Sequence, residues 1–314
     1  MARGGGGCLK VLVALLSVAL VAVVAVGVAT VLGSQARPGE PEQQEPVAKA
    51  FSDYSWEELS EVSAKVAAAG SAEAGAEVAE GYNVHVGDMR RFKLADDTVV
   101  DVTVVGICAD ERSDGSGVAG LTFICSPIAT EPMSEEATNA GGWEGSGLRA
   151  WLASDGMALL PEDLASKIVP VKKSTNNVGV TSDASAVTQT DDALWLFSAS
   201  EVCGPLTWFS DEYGDTPNVW TAYVDYTVYD ALLSSEGAQY AYFAEAGVTG
   251  ESGAGGVLEQ TLRGAATAWW YRTPYPFTYT GADESFFYQV MDSGYPSSVG
   301  EATSEAGVVL GFCL

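Results

Sequence analysis

The side chains that could do chemistry in this chain are mainly carboxylates and aromatic rings. His85 is the single histidine, so neither a zinc site nor a Ser/His/Asp triad has its usual residues. We expect a structural or surface role for His85. Pairs of carboxylates can hydrolyse glycosidic bonds. With 42 Asp and Glu in 314 residues, such pairs arise by chance, and no single pair stands out.

Two loops carry the oxygen donors that calcium prefers. Segment 110–117 is rich in Asp, Ser and Gly, but Leu121 stands where a calcium loop would need its closing Glu. We therefore interpret this segment as a hairpin turn. Asp211, Glu212 and Asp215 form a denser group in a loop that contains Gly and Pro. We predict no cofactor, with calcium near these three residues as the alternative.

The densest aromatic segment of the chain is 269–288. Strand alternation would place Trp269 and Tyr271 on one face and Trp270 and Arg272 on the other. One face should be core, while aromatic rings and Arg on the other are the residue types that dominate binding hot spots. The predicted ligand-binding residues are Tyr271, Arg272, Tyr275, Phe277, Tyr279, Tyr288 and, from an insertion at 206–230, Trp208 and Trp220.

Within this segment we expect Tyr271 or Tyr275, together with Arg272, to face solvent. Large apolar rings more often fill a core, so the two tryptophans and Phe312 should be buried. The alternative is that all the rings of the segment simply cover one another.

An apolar run at residues 11–32 predicts the cellular compartment of the chain. It contains no charged residue and is long enough to span the ~30 Å hydrocarbon core of a bilayer. We predict a signal anchor with its N-terminus inside the cell. Cleavage after the small-residue site near Ala36 is the alternative. Both interpretations place residues 37–314 outside the cytoplasm, either anchored or secreted.

Charge excludes one class of partner. Beyond Arg37 there are 12 Lys and Arg against 42 Asp and Glu, a formal charge of −30. Phosphate backbones require clustered cations, so we expect no nucleic-acid partner. The acidity is typical of a solvated exported surface.

The pattern along the chain predicts a mixed α+β domain. Ser55 and Glu58 form a capping box before a helix that ends at Gly70, and a small-residue linker follows to Gly81. Strands are predicted at 89–94, 99–107, 121–124, 169–173 and 194–198, with 99–108 and 119–125 forming a hairpin. Helices are predicted after Ser146, after Pro161 and at 238–246, and a buried apolar strand ends the chain.

The predicted organisation has five parts. They are a cytoplasmic N-terminus at 1–10, a transmembrane signal anchor at 11–32, a Pro/Glu-rich stalk at 33–50, a capped helix and linker at 51–80, and an extracellular domain at 81–314. Cys108, Cys125, Cys203 and Cys313 lie in the exported part. An oxidising compartment permits disulfides but a core of this size does not require them. A 108–125 bridge would be strained in the expected hairpin register.

Several strings, in order, resemble a family of exported bacterial domains known as domain of unknown function 6273. The strings are Ser55-Trp56-Glu57-Glu58, Val86-Gly87-Asp88, Asn139-Ala140-Gly141-Gly142-Trp143-Glu144, Leu159 with Pro161, Asp163 and Leu164, Leu194 with Leu196-Phe197-Ser198 and Glu201, Gln239-Tyr240 with Tyr242-Phe243, Trp269-Trp270-Tyr271-Arg272-Thr273-Pro274 and Gly311-Phe312-Cys313-Leu314. The resemblance covers about residues 53–314. Thr273 replaces the usual Ser, and insertions lie at 206–236 and 249–262.

The resemblance implies a surface-exposed or secreted domain without assigned activity. The paired Trp and the closing Gly-Phe-Cys strand are also similar to the ends of C-type-lectin-like and formylglycine-generating-enzyme-like domains. We therefore expect a C-type-lectin-like α+β fold of short helices and twisted antiparallel strands. The predicted function is a binding or adhesion module for an unknown surface glycan or protein. A carboxylate-dependent extracellular hydrolase acting on glycan or cell wall, and a purely structural surface protein, are the alternatives.

Overall fold

A computed structural model of the chain describes residues 46–278 and 283–314. The α-helices are α1 Trp56–Ala67, α2 Ala72–Gly81, α3 Gly147–Trp151, α4 Met157–Leu159, α5 Glu162–Ala165, α6 Ala199–Cys203, α7 Trp208–Tyr213, α8 Thr227–Ser234 and α9 Ala241–Ala246. The strands are β1 Met89–Lys93, β2 Val99–Ile107, β3 Leu121–Cys125, β4 Thr130–Glu131, β5 Val171–Asn176, β6 Val187–Asp192, β7 Trp195–Leu196, β8 Thr261–Leu262, β9 Ala265–Ala266, β10 Trp269–Pro274, β11 Phe286–Val290, β12 Ser298–Glu301, β13 Ala306–Gly307 and β14 Leu310–Cys313.

The first helix begins as its capping residues predict. The Ser55 hydroxyl accepts a hydrogen bond from the Glu58 backbone N–H, and the Glu58 carboxylate accepts one from the Ser55 N–H. These two bonds satisfy donors that the first helical turn leaves without partners. Trp56 and Leu59 on its inner face are buried, so α1 packs its apolar stripe against the first sheet.

The segment after Gly70 is a helix, so the linker prediction was wrong there. The Ser71 hydroxyl accepts a hydrogen bond from the Ala74 N–H at the start of α2. Ala and Glu, which make up most of this segment, are strong helix formers, and the buried Ala79 packs the helix against the core. The Ala and Glu residues of this segment therefore favour a helix over a flexible linker.

The first sheet has the strand order β1-β2-β3-β14-β7, and all its pairings are antiparallel. The predicted hairpin forms between β2 and β3, with a bulge between Val104 and Gly106. The C-terminal strand β14 lies between β3 and β7, which confirms that the apolar end of the chain is buried in a sheet. Phe312 stacks on Phe123 at 5.0 Å between ring centroids.

The second sheet has the order β12-β11-β10-β13-β4. Its pairings are antiparallel except for the parallel contact between β10 and β13. Two further hairpins, β5 with β6 and β8 with β9, complete the strands of the described residues.

Both faces of β10 are buried, because apolar cores lie on each side of it. Trp270 belongs to one core, which also holds Trp56 and Phe312. Trp269 and Tyr271 belong to the other core. The predicted alternation is therefore correct, and Trp269, Trp270 and Phe312 are confirmed as core residues. The expectation that one face meets solvent was wrong for this strand.

Several element boundaries differ from the predicted ones. The strand expected at 194–198 is only two residues long, because Ser198 and Glu201 form a second capping box that starts α6. The strand expected at 169–173 lies at 171–176. The helices after Ser146 and Pro161 are present, and the one expected at 238–246 is the shorter α9.

All four cysteines of the described residues carry free thiols. Cys108 lies beside Gly120 in the hairpin, to whose carbonyl its N–H donates at 3.0 Å. Burial raises the pKa of the Cys203 thiol to about 12, so this group stays protonated. No disulfide therefore joins the cysteines of the described residues.

None of the helices between residues 46 and 278 or after residue 282 has the length and apolar character needed to cross a bilayer. The predicted membrane segment at 11–32 lies outside the described residues, as do residues 33–45 of the predicted stalk.

Candidate functional site

A groove of about 690 Å³ is lined mainly by aromatic rings. Its aromatic residues are Trp208, Phe209, Tyr213, Tyr275, Phe286, Tyr288 and Tyr295. The remaining lining comes from three carboxylate residues and from small or hydroxyl residues. These are Asp211, Glu212, Glu251, Gly250, Ser297, Ser298 and Val299.

Helix α7 forms one wall of this aromatic groove. The carboxylate of Asp230, at the buried face of α8, accepts hydrogen bonds from the N–H groups of Phe209 and Ser210 at 2.8 and 2.9 Å. These bonds cap the start of α7. The Trp208 indole donates to the carbonyl of Gly250 at 2.7 Å, which fixes the orientation of the ring.

The opposite wall is formed by Tyr275, which follows β10, by β11 and by the chain after β11. The Trp208 ring lies 4.7 Å from the Tyr288 ring, and Tyr288 lies 5.6 Å from Tyr275. Tyr275 in turn lies 5.6 Å from Phe209. Rings at these separations support one another through edge and offset contacts. The groove therefore has a continuous aromatic floor made from segments more than 60 residues apart in the sequence.

The polar part of the lining carries negative charge only. Asp211 and Glu212 lie on α7, and Glu251 lies in the insertion that follows α9. No Lys, Arg or His lines the groove within the part of the chain that the structure describes. Such a lining disfavours anionic ligands and leaves acceptors for ligand hydroxyl or ammonium groups.

Three of the eight residues predicted to bind a ligand line this groove: Trp208, Tyr275 and Tyr288. Phe277 is buried behind it, 5.2 Å from the ring of Tyr229. Trp220 is 93% exposed on a separate loop and does not line the groove. Tyr279 lies outside the described residues.

The remaining two predicted residues, Tyr271 and Arg272, are fully buried. The expectation that Arg272 faces solvent was wrong, because its guanidinium is enclosed by backbone and side-chain acceptors. It donates to the carbonyls of Leu196, Ser174 and Glu236 at 2.8, 3.0 and 3.1 Å. It also donates to the Glu201 carboxylate. These groups satisfy the buried guanidinium internally.

Arg272 belongs to a buried charge cluster that also contains Asp110, Lys173, Glu201 and Glu236. The Lys173 ammonium lies 2.7 Å from Asp110 Oδ1 and 2.6 Å from Glu201 Oε1. The neighbouring cations hold the pKa values of Asp110 and Glu201 below their usual range despite burial. The two carboxylates in turn raise the pKa of Lys173. Two positive and two negative charges therefore balance in this cluster.

Glu236 is the fifth ionisable residue in this cluster, and no cation is paired with its carboxylate alone. Burial raises its pKa to about 7, although hydrogen bonds and Arg272 oppose the rise. Its carboxyl group accepts from the Asn176 N–H at 2.9 Å and from the Thr273 hydroxyl. Glu236 is thus the one member of the buried charge cluster that titrates near neutral pH.

The buried charge cluster was not identified from the sequence. Its members come from five segments and carry no common motif. The strings that carried the family resemblance do meet here, since Glu201, Tyr240 and Arg272 each belong to one of them. The sequence does contain a capping-box pattern at Ser198 and Glu201. That pattern indicates where a helix begins, but it does not indicate which charged residues Glu201 contacts.

No group of three or more His, Cys, Asp or Glu in the described segments is placed to hold a metal ion. Asp211 and Glu212 line the aromatic groove, whereas Asp215 does not. The absence of a cofactor stays a prediction, and calcium near these residues stays its alternative. His85 lies at the surface and pairs with Glu80 at 2.8 Å.

The described residues form a mixed α+β domain that combines an aromatic groove with a buried charge cluster. The chain belongs to the family described as domain of unknown function DUF6273, whose model matches residues 119–314. Helix α1, helix α2 and the first two strands precede the matched part, so the family resemblance of residues 53–118 remains a prediction. Comparisons with curated proteins and with solved structures gave no match.

Proposed function

We propose that this chain is an exported surface protein that binds a glycan in its aromatic groove. The observation that carries the proposal is the lining of that groove, where Trp208, Tyr275 and Tyr288 lie beside carboxylates and serine hydroxyls. Sugar rings present apolar C–H faces that suit aromatic rings, and their hydroxyl groups suit carboxylate acceptors. A volume of about 690 Å³ is in the range of small-ligand sites.

Charge narrows the ligand class. The exported part carries a formal charge of −30, and the groove adds three carboxylates without a cation in its described lining. Sulfated or uronic-acid glycans would meet like charge. The proposed ligand is therefore a neutral or amino-bearing glycan.

The location and the finer fold belong to the same proposal. The apolar run at 11–32 supports a single-pass anchor with residues 37–314 outside the cell, or secretion after cleavage near Ala36. The C-type-lectin-like interpretation is supported by the terminal Gly311-Phe312-Cys313 strand, which lies inside the first sheet. It carries no function by itself.

The test uses the purified full-length chain on an array of neutral, amino-bearing and anionic glycans, with isothermal titration of the hits. Trp208→Ala should weaken binding by roughly five-fold or more, as expected when an aromatic contact is lost. Trp220→Ala is the matched control, because Trp220 is more exposed but lies outside the groove. Equal affinity of the Trp208→Ala variant and the unmodified chain would place the site elsewhere, and an array without glycan hits would overturn the proposal.

One observation favours a hydrolase as the second candidate. Asp211 and Glu212 of α7 and Glu251 line the same groove, and glycoside hydrolysis requires two carboxyl groups on either side of the scissile bond. Release of reducing ends from the bound glycans, abolished by Glu212→Gln or Glu251→Gln, would support this reaction. Stable complexes without product formation would support binding alone.

A further inference from the structure

The buried charge cluster places an amine and a carboxyl group in direct contact away from water. Lys173 on β5 and Asp110 after β2 are 3% and 5% exposed at their side chains, and Nζ lies 2.7 Å from Oδ1. The Lys173 ammonium also lies 4.6 Å from the centre of the Trp195 ring. Glu201 Oε1 contacts the same ammonium at 2.6 Å.

We propose that Lys173 and Asp110 condense into an intramolecular amide bond, with Glu201 as the group that transfers the proton. The new bond joins Nζ of Lys173 to Cγ of Asp110. It would be a covalent cross-link between β5 and the turn that follows β2, in addition to the binding function proposed for the groove.

The condensation balances without any co-reactant. The Lys173 ammonium begins with three protons and keeps one as the amide N–H. The other two protons leave with one carboxylate oxygen of Asp110 as a water molecule, the first of them passing through the Glu201 carboxylate. One positive and one negative charge disappear together, so the net charge of the cluster is unchanged.

Hydrogen-bond donors are placed to activate the carboxyl carbon. The Tyr240 hydroxyl donates to Asp110 Oδ1 at 2.7 Å, and the Thr122 hydroxyl donates to Oδ2 at 2.6 Å. Donors aimed at carboxyl oxygens stabilise the negative charge that develops when an amine adds to the carbon. Both donors are held by buried residues, so they need no rearrangement before the reaction.

Burial supplies the driving force. The ion pair is the resting state of Lys173 and Asp110, and keeping two ions away from water is costly even when they are paired. An amide replaces both ions by one neutral group. Reacting groups held in fixed contact have effective concentrations of about 10⁵ M or more. One proton transfer converts the ion pair into a neutral amine and a neutral carboxylic acid. Even a small population of this neutral pair can therefore react, and the reaction needs to occur only once because it is irreversible.

The water produced has a route out of the cluster. A cavity of about 300 Å³ is lined by Asp110, Lys173, Glu201 and Tyr240, and its lining also includes the half-buried Lys172 and the exposed Glu111. The product water can therefore leave the cluster after the bond has formed.

The neighbouring pair Lys172 and Glu111 provides an internal comparison. These residues are also ion-paired, but their side chains are 27% and 55% exposed. Water stabilises both charges at this pair. We therefore expect the amide at Lys173 and none at Lys172.

The test is the mass of the full-length chain, measured under denaturing conditions after purification from an exporting host. The proposal predicts a mass lower by one water molecule than that of the same polypeptide without a cross-link. Proteolysis should yield a branched peptide that joins the segments containing Asp110 and Lys173, and no cleavage by trypsin after Lys173. Two separate linear peptides and an unaltered mass would overturn the proposal.

Variants assign the bond and its catalyst. Lys173→Met and Asp110→Ala should each restore the unaltered mass, whereas Lys172→Met should keep the loss of one water. Glu201→Gln should lower the cross-linked fraction at least several-fold in soluble protein. Because masses are read on denatured chains, a variant that folds poorly still reports whether the bond formed, and a cross-link that persists in Lys173→Met would also overturn the assignment.

Discussion

At the scale of single residues, Arg272 shows how a side chain suited to ligand recognition can serve the interior instead. Its planar guanidinium presents five donors in a fixed geometry. In this chain they reach acceptors on β5, β7 and the chain after α8, including the Thr175 hydroxyl at 2.7 Å. Through Glu201 it also reaches α6, so Arg272 links four segments that the sequence separates widely, and it has no donor to offer to the aromatic groove.

Glu236 should make the stability of the folded chain depend on pH. Its pKa is raised from 4.5 to about 7 in the folded chain, so the folded state holds its proton more tightly than the unfolded state does. This stabilisation is fully present below pH 4.5 and is lost as the pH rises through about 7. The total is about 3 kcal/mol, since one pKa unit corresponds to 1.36 kcal/mol.

The measurement is the free energy of unfolding by urea for the unmodified chain and for Glu236→Gln between pH 4.5 and 8. Gln is a neutral isostere that cannot titrate, so the stability of the unmodified chain relative to the variant should fall across this range. A constant difference would show that Glu236 does not titrate near neutral pH. Glu245→Gln is the matched control, because Glu245 is exposed.

At the scale of elements, the close contact of β7 with β14 depends on Gly311. Gly311 pairs with Trp195 across the two strands. A Cβ atom at position 311 would come within 2.6 Å of the Trp195 indole, which is fully buried. The neighbouring ring has no free space into which it could move, so β14 accepts only glycine at this position.

Gly311→Ala should therefore destabilise the chain by about 1–3 kcal/mol, the usual cost of overpacking a core. Gly81→Ala is the control, because a Cβ atom there meets nothing within 4 Å at the end of α2. That change should leave the unfolding free energy unchanged or slightly raised, since Ala favours helix over Gly. Equal unfolding midpoints in urea for the two variants would contradict the packing argument for Gly311.

At the scale of the whole molecule, the acidic surface should oppose compactness. A formal charge of −30 on the residues beyond Arg37 makes self-repulsion the dominant long-range electrostatic effect. Salt screens exposed charges more than about 8–10 Å apart at moderate ionic strength, while the ions of the buried charge cluster lie in direct contact and are screened much less.

We therefore expect the thermal unfolding midpoint of the full-length chain to rise when sodium chloride is increased from low concentration toward the physiological range. The measurement is a calorimetric scan at fixed pH, with sucrose of matched osmolality as the uncharged control. A midpoint that falls with added salt would mean that surface ion pairs, such as Arg91 with Asp101, outweigh the repulsion.

The sequence by itself determined the features that depend on neighbouring residues. The capping box at Ser55 and Glu58, the turn between β2 and β3 and the apolar C-terminal strand are local signals, because each is set by residues a few positions apart. The family assignment also came from ordered strings. Local patterns were not sufficient at α2, where a run of small residues predicted a linker and the chain forms a helix.

The tertiary structure decided which of the many aromatic and charged residues meet. Alternation placed Trp270 and Arg272 together on one face of β10, but it could not show that a second core covers that face. Asp110, Lys173 and Glu201 come together through long-range pairing of separate strands and a helix. Local patterns do not specify such pairings, so the groove and the buried charge cluster both depended on how the chain folds over its whole length.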